Sequence, residues 1–99
     1  MKGTHLVRVS KSSGGFPIPL SGVKVETLRL DAPQDILSDE EVLYLCLESE
    51  IVIDMGLDFA HLRPLEAFTV RGAHKLSPVN TSKSALVGVC ILLRIAKVG

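Results

Sequence analysis

The sequence predicts an all-β protein, a single antiparallel β-sandwich or jelly-roll-like barrel of about six to eight strands. Three observations lead there. Every second residue from Leu43 to Phe59 is apolar except Ser49, which is a period of two held along seventeen positions. The core has to be aliphatic, because an apolar fraction of 46% includes no Trp, one Tyr and three Phe, and Val, Leu and Ile suit sheets. Glycine, proline, serine and asparagine punctuate the chain, with no internal repeat or low-complexity tract. Ninety-nine residues make one domain, 1–99, with an extended apolar arm or loop at about 11–22.

The elements follow in order. His5 to Ser10 reads as a first strand, and Ser12-Ser13-Gly14-Gly15 as a flexible turn. In Phe16-Pro17-Ile18-Pro19-Leu20 two alternate prolines forbid a central strand and favour an extended arm carrying Phe16, Ile18 and Leu20. Such an arm either packs over its own sheet edge or reaches onto another subunit. Val23 to Leu30 reads as a second strand whose apolar phase shifts by one residue, a bulge signal near Glu26 and Thr27. Asp31 to Asp39 forms a polar connection. Ser38 and Glu41 have capping-box spacing, but the six apolar residues Val42 to Leu47 restrict any helix to one turn at 38–41. The alternating run is too long for one ordinary strand, so the chain turns near Glu48-Ser49-Glu50. Its unbroken odd phase calls either for a loop with an odd number of residues or for a bent strand crossing between two sheets. A strand is expected at Glu66 to Arg71, a loop at Leu76 to Lys83, and a last strand at Ala85 to Lys97. That last strand is apolar on both faces, so it is either central and covered on both sides or buried by a partner.

The formal net charge of zero hides segregation. Residues 1–30 carry five Lys and Arg against Glu26, residues 31–58 carry nine Asp and Glu and no base, and residues 59–99 carry six bases against Glu66. Such blocks serve complementary contact, either between acidic and basic strands of one fold or with a neighbouring copy. The candidate interface comprises Phe16, Ile18 and Leu20 of the arm, the acidic Glu48, Glu50, Asp54 and Asp58, and the basic Arg63 and Arg71.

No constellation points to a reaction. Cys46 and Cys90 sit in apolar runs and read as buried free thiols, an environment that suppresses nucleophilicity. His5, His61 and His74 are scattered; Asp54, Asp58 and His61 come nearest to a ligand set and read as a solvated rim, so no metal or cofactor is expected. Lys11-Ser12-Ser13-Gly14-Gly15 lacks the Walker order of glycines before Lys and Ser. Arg63, Arg71, His74 and Lys75 could form a small basic patch, but aromatics are few, which argues against nucleic acid as a partner. Met1 to His5 lacks the apolar core of a signal peptide, and Ala85 to Ile95, broken by Arg94, is too short to span a bilayer. The expected setting is aqueous and reducing, with no membrane partner.

The stretch Leu57 to Val70, fourteen residues, resembles the strand, Leu-x-Pro-Gly-Glu turn and strand seen in cupins and in small β-sandwich proteins of phage particles. Leu65 stands where the usual glycine would be, and the paired His-x-His of cupin metal chemistry is missing. The resemblance implies a jelly-roll-like virion accessory protein. With the arm and the segregated charge, the expectation is a non-enzymatic, homo-oligomeric structural protein, a decoration or minor capsid protein. It would sit in a virion or in the host cytoplasm and contact itself, the major capsid protein or another virion protein. Two alternatives belong to other classes. A small-ligand or sugar-binding β-sandwich, an inactive or unusual cupin relative, would need a concave pocket with convergent polar groups. An adaptor or inhibitor would add an edge strand to a host protein.

Overall fold

Two antiparallel sheets face each other across an aliphatic core in the computed structural model, which describes residues 3, 5–18, 20–79 and 89–97. The first sheet has the spatial order β1 (Gly15–Ile18), β2 (Val23–Leu30), β9 (Cys90–Lys97), β4 (Glu41–Glu48), β7 (Ala67–Arg71). The second runs β3 (Gln34–Ile36), β8 (His74–Val79), β5 (Glu50–Asp54), β6 (Phe59–Leu62). The described residues thus form an all-β sandwich of nine strands, every pairing antiparallel. Successive strands change sheet at every connection except β1–β2 and β5–β6, the wiring of a double-sheet jelly roll. Leu30, Val42, Cys46, Val70, Leu92 and Ala96 of the first sheet meet Ile51, Ile53, Leu62 and Leu76 of the second.

The alternating run resolves into β4 and β5, which lie in different sheets, so it bends from one sheet into the other. It does not keep one face. In β4 the fully buried residues are the even ones, Val42, Tyr44 and Cys46, whereas in β5 they are the odd ones, Ile51 and Ile53. The reason is local. The register against β9 slips between Cys46 and Glu48, and Ser49 takes a left-handed φ of 66° at the corner. One inserted residue exchanges the two faces of a strand. Leu43, Leu45 and Leu47 therefore lie half-buried on the outside of the first sheet.

Several other expectations are corrected. The segment expected as a first strand is a helix, α1 (Leu6–Ser13), because its two caps are satisfied. The His5 imidazole accepts the Arg8 N–H at 3.1 Å, and Gly14, at φ 82°, donates its N–H to the Ser10 carbonyl at 2.9 Å. Gly14 is thus a helix stop rather than part of a loose turn. The proline-containing arm packs on its own sheet: Gly15–Ile18 is the edge strand β1, antiparallel to β2. Pro17 is tolerated there because one side of an edge strand needs no donor. The register of β2 against β9 is continuous from Val23 to Leu30, with no bulge at Glu26. No helical turn forms at 38–41; the Ser38 hydroxyl instead accepts the Glu40 N–H at 3.2 Å. The polar connection 31–39 contains β3, and the loop expected at 76–83 begins as strand β8 through Val79. Pro78 fits because β3 pairs with β8 only as far as Leu76, leaving that side open. Of the last predicted strand, β9 is central in its sheet as expected, while 85–88 lie outside the described residues.

The charge blocks pair largely within the fold. Acidic β4 meets basic β9 and β7 through Lys97–Glu41 at 3.9 Å and the cross-strand pair Glu41 and Arg71, and Asp54 of β5 stands opposite Lys75 of β8.

Candidate ligand site between the sheets

On the inward side of the first sheet, apart from exposed Lys24 near the start of β2, one polar row crosses the apolar strands. Register aligns Glu26 of β2 with Arg94 of β9, and Arg94 with Tyr44 of β4. These three even-numbered side chains point into the sandwich beside Leu28, Leu92 and Cys46. His74 of β8 meets them from the opposite sheet. An Arg94 Nη1 lies 3.5 Å from Glu26 Oε1, and the Arg94 charge stands close enough to the Tyr44 phenol to pull its pKa down. The Tyr44 hydroxyl is 2.7 Å from His74 Nε2, and His74 Nδ1 is 2.9 Å from the Gly72 carbonyl. That carbonyl only accepts, so Nδ1 carries the proton, Nε2 accepts, and the phenol donates to it. The Tyr44 and His74 rings meet edge-on, with centroids 5.4 Å apart.

Environment varies along this string. Tyr44 is fully buried and His74 nearly so, while the Arg94 and Glu26 side chains are 11% and 26% exposed. The string therefore runs from fully buried Tyr44 and nearly buried His74 to partly exposed Glu26. Burial pushes the Tyr44 phenol above its ordinary value against the opposing pull of Arg94, so it remains a neutral donor. Paired charges and linked polar groups among aliphatic side chains are costly to bury and hold one defined geometry once satisfied.

This string does not suit a metal. Both nitrogens of His74 are engaged, and among the described residues no three His, Cys, Asp or Glu side chains gather as ligands. Asp54, Asp58 and His61 do not converge. Asp54 accepts the Gly56 N–H, Asp58 accepts the Phe59 N–H, and His61 bonds Glu50 at 2.7 Å.

The other sequence-derived candidates are dispersed. Ile18 is half-buried in edge strand β1, which also holds Phe16, and Leu20 is exposed after it. Glu50 and Asp54 share the outward face of the second sheet, whereas Glu48 lies at the β4–β5 corner, lining a concavity of about 440 Å³ with Arg29, Ser49 and Val89. Arg63 lies in the β6–β7 connection and Arg71 at the end of β7, so they form no patch with buried His74. Cys46 and Cys90 are free and buried. The Cys46 thiol donates to the Ser49 carbonyl at 3.1 Å, and interaction between the two neighbouring thiols lowers Cys46 and, with burial, raises Cys90.

Sequence reasoning missed Glu26, Tyr44, His74 and Arg94 as a unit. Two traces existed. Arg94 interrupts the last apolar run, and the apparent slip in β2 is the place where Glu26 turns inward to meet it.

No protein-family model and no curated protein matches the sequence. Solved structures do match. The chain superposes on protein NMB1881 from Neisseria meningitidis with a TM-score of 0.75 at 13% identity, covering 98% of this chain and 100% of that one. It matches TT1209 from Thermus thermophilus with a TM-score of 0.71 at 21% identity, over 98% and 97% of the two chains. A cupin-2 domain containing protein from Shewanella frigidimarina matches with a TM-score of 0.64 at 11% identity, over 83% and 79%. These likenesses overturn the expected kinship with virion accessory proteins, and with it the decoration or minor-capsid role and the virion location. The Leu57 to Val70 stretch misled because it encodes a sheet-to-sheet corner, a property of the fold and not of its setting. Among the described residues no helix is long and apolar enough to cross a membrane. The chain has the double-sheet fold of a cupin domain.

Proposed function

We propose that this protein is a non-catalytic binding module that takes a small polar molecule, bearing hydroxyl or carboxylate groups, between its two sheets. The observation that carries the reading is the Glu26–Arg94–Tyr44–His74 string, buried at Tyr44 and His74 and partly exposed at Glu26. Ligand sites combine apolar walls with a few fixed polar groups. Here Leu28, Ile36 and Met55 supply partly buried walls. Arg94 offers donors to a carboxylate and Glu26 accepts from a hydroxyl, while Tyr44 stands beside Arg94 and is held by His74. Cupin-type structural neighbours support this choice over an assembly role. Two free thiols fit work in a reducing cell interior.

Thermal unfolding in the presence of separate panels of small carboxylates and of sugars tests the proposal. At a hundredfold excess over the dissociation constant a ligand adds about 2.7 kcal/mol of stability, and in a domain of this size each kcal/mol raises Tm by roughly 4–8 °C. At least one compound should raise Tm in the native protein and not in Arg94→Leu. No shift from either panel at millimolar concentration, with no small molecule retained in native mass spectrometry, would overturn it.

A further inference from the structure

The two cysteines of the chain meet at one end of the β4–β9 ladder. Leu92 stands opposite Cys46 in the register, and Cys90, two residues before Leu92 on the same strand, shares its inward face. Both side chains are fully buried in the core. In a regular antiparallel pair such diagonal neighbours stand about 7–8 Å apart, at the far limit for a disulfide. This ladder is not regular there. Its register slips between Cys46 and Glu48, the extra residue bends β4, and the two thiols interact with each other. The corner that follows is tied to both cysteine-bearing strands. Ser49, at its left-handed φ of 66°, accepts the Cys46 thiol on its carbonyl at 3.1 Å and donates its hydroxyl at 3.0 Å to the carbonyl of Val89, the residue before Cys90. Glu48, Ser49 and Val89 also line the concavity of about 440 Å³, so the corner touches both that concavity and the thiol pair.

We propose that Cys46 and Cys90 form a redox modification site, at which hydrogen peroxide converts the two thiols to an intramolecular disulfide when the Glu48–Ser49 corner opens. Burial alone would quiet both sulfurs. The neighbouring Cys90 thiol instead lowers Cys46, while interaction with Cys46 raises Cys90, which divides the pair into a nucleophile and a resolving thiol. The Cys46 thiolate attacks one peroxide oxygen, the O–O bond breaks, and the departing hydroxide takes up the proton that Cys46 released. The Cys90 sulfur then attacks the Cys46 sulfenic acid: the S–S bond forms, the S–O bond breaks, and the leaving hydroxide takes the Cys90 proton. The two thiols lose two electrons and one peroxide becomes two waters. Oxidation also removes the S–H that bonds the Ser49 carbonyl, so it unties one side of the corner.

The test uses the reduced full chain, treated with a few equivalents of hydrogen peroxide at neutral pH, quenched with catalase and alkylated in denaturant. Intact mass of the native protein should fall by about 2 Da with no alkyl group taken up. The peptide map should join Cys46 to Cys90, circular dichroism should stay native, and dithiothreitol should restore both thiols. Cys46→Ala and Cys90→Ala should each lose this reactivity, because each sulfur acts only with the other. Ser49→Ala removes the tie to Val89 and should speed disulfide formation about fivefold. Two alkylated cysteines after peroxide treatment of the folded native chain would overturn the proposal. So would a link between chains in place of Cys46 to Cys90, a single-cysteine variant oxidised as fast as the native protein, or a rate that Ser49→Ala leaves unchanged.

Discussion

Two residues occupy the left-handed backbone region without being glycine, and they do so for different returns. Leu65 has φ 71° and its side chain is 78% exposed, so nothing it touches offsets the backbone cost. That conformation costs an L-residue about 1–2 kcal/mol. Leu65→Gly should therefore stabilise the protein by about 1 kcal/mol, read as a higher denaturant midpoint; an unchanged or lower midpoint would contradict the account. Ser49, at φ 66°, donates its hydroxyl to the Val89 carbonyl at 3.0 Å, so Ser49→Gly relieves the backbone and loses a bond together. Tyr44 poses the opposite problem. Tyr44→Phe keeps the ring but leaves His74 Nε2 without its donor, while Arg94 keeps Glu26 as its acceptor. Orphaning buried partners costs about 1–3 kcal/mol, and a midpoint loss in that range is expected from chemical denaturation.

Elements differ in how they are specified. Strands β2, β4, β5 and β7 were legible because the pleat imprints a period of two directly on the residues that pack. Helix α1 was not, since Leu6-Val7-Arg8-Val9 also alternates, and its conformation is decided by caps at His5 and Gly14 that no hydropathy pattern displays. The faces of β4 were misread because a bulge at Cys46–Glu48 is a property of pairing with β9, invisible until β9 is in place. The polar string was illegible for a related reason: its four residues come from four strands, and only the register of β2 on β9 and of β9 on β4 brings Glu26, Arg94 and Tyr44 into line. The docking of α1 yields its own prediction. Ser10 and Thr27 are buried and bonded to each other, so Thr27→Val alone should cost about 1–3 kcal/mol, and adding Ser10→Ala should recover part of that loss. Additive losses in a double-mutant cycle would show that the hydroxyls do not interact.

The whole molecule encloses an apolar core between two sheets, and its stability responds to pH through the phenol buried in that core. The folded state holds the Tyr44 proton more tightly than the unfolded chain, whose value is near 10.0. The contribution is therefore full below that pH and is lost as pH rises through the higher folded value. The denaturant midpoint of the native protein should fall in this alkaline range by more than that of Tyr44→Phe; parallel curves for the two proteins would contradict the assignment.

That phenol has a further consequence. Tyr44 is the only tyrosine in a chain with no tryptophan, so the strongest natural chromophore of the molecule stands in the middle of the polar string. The protein carries its own optical probe at that place, and a change in its ultraviolet emission on adding a small carboxylate or sugar would read out the proposed binding without a label.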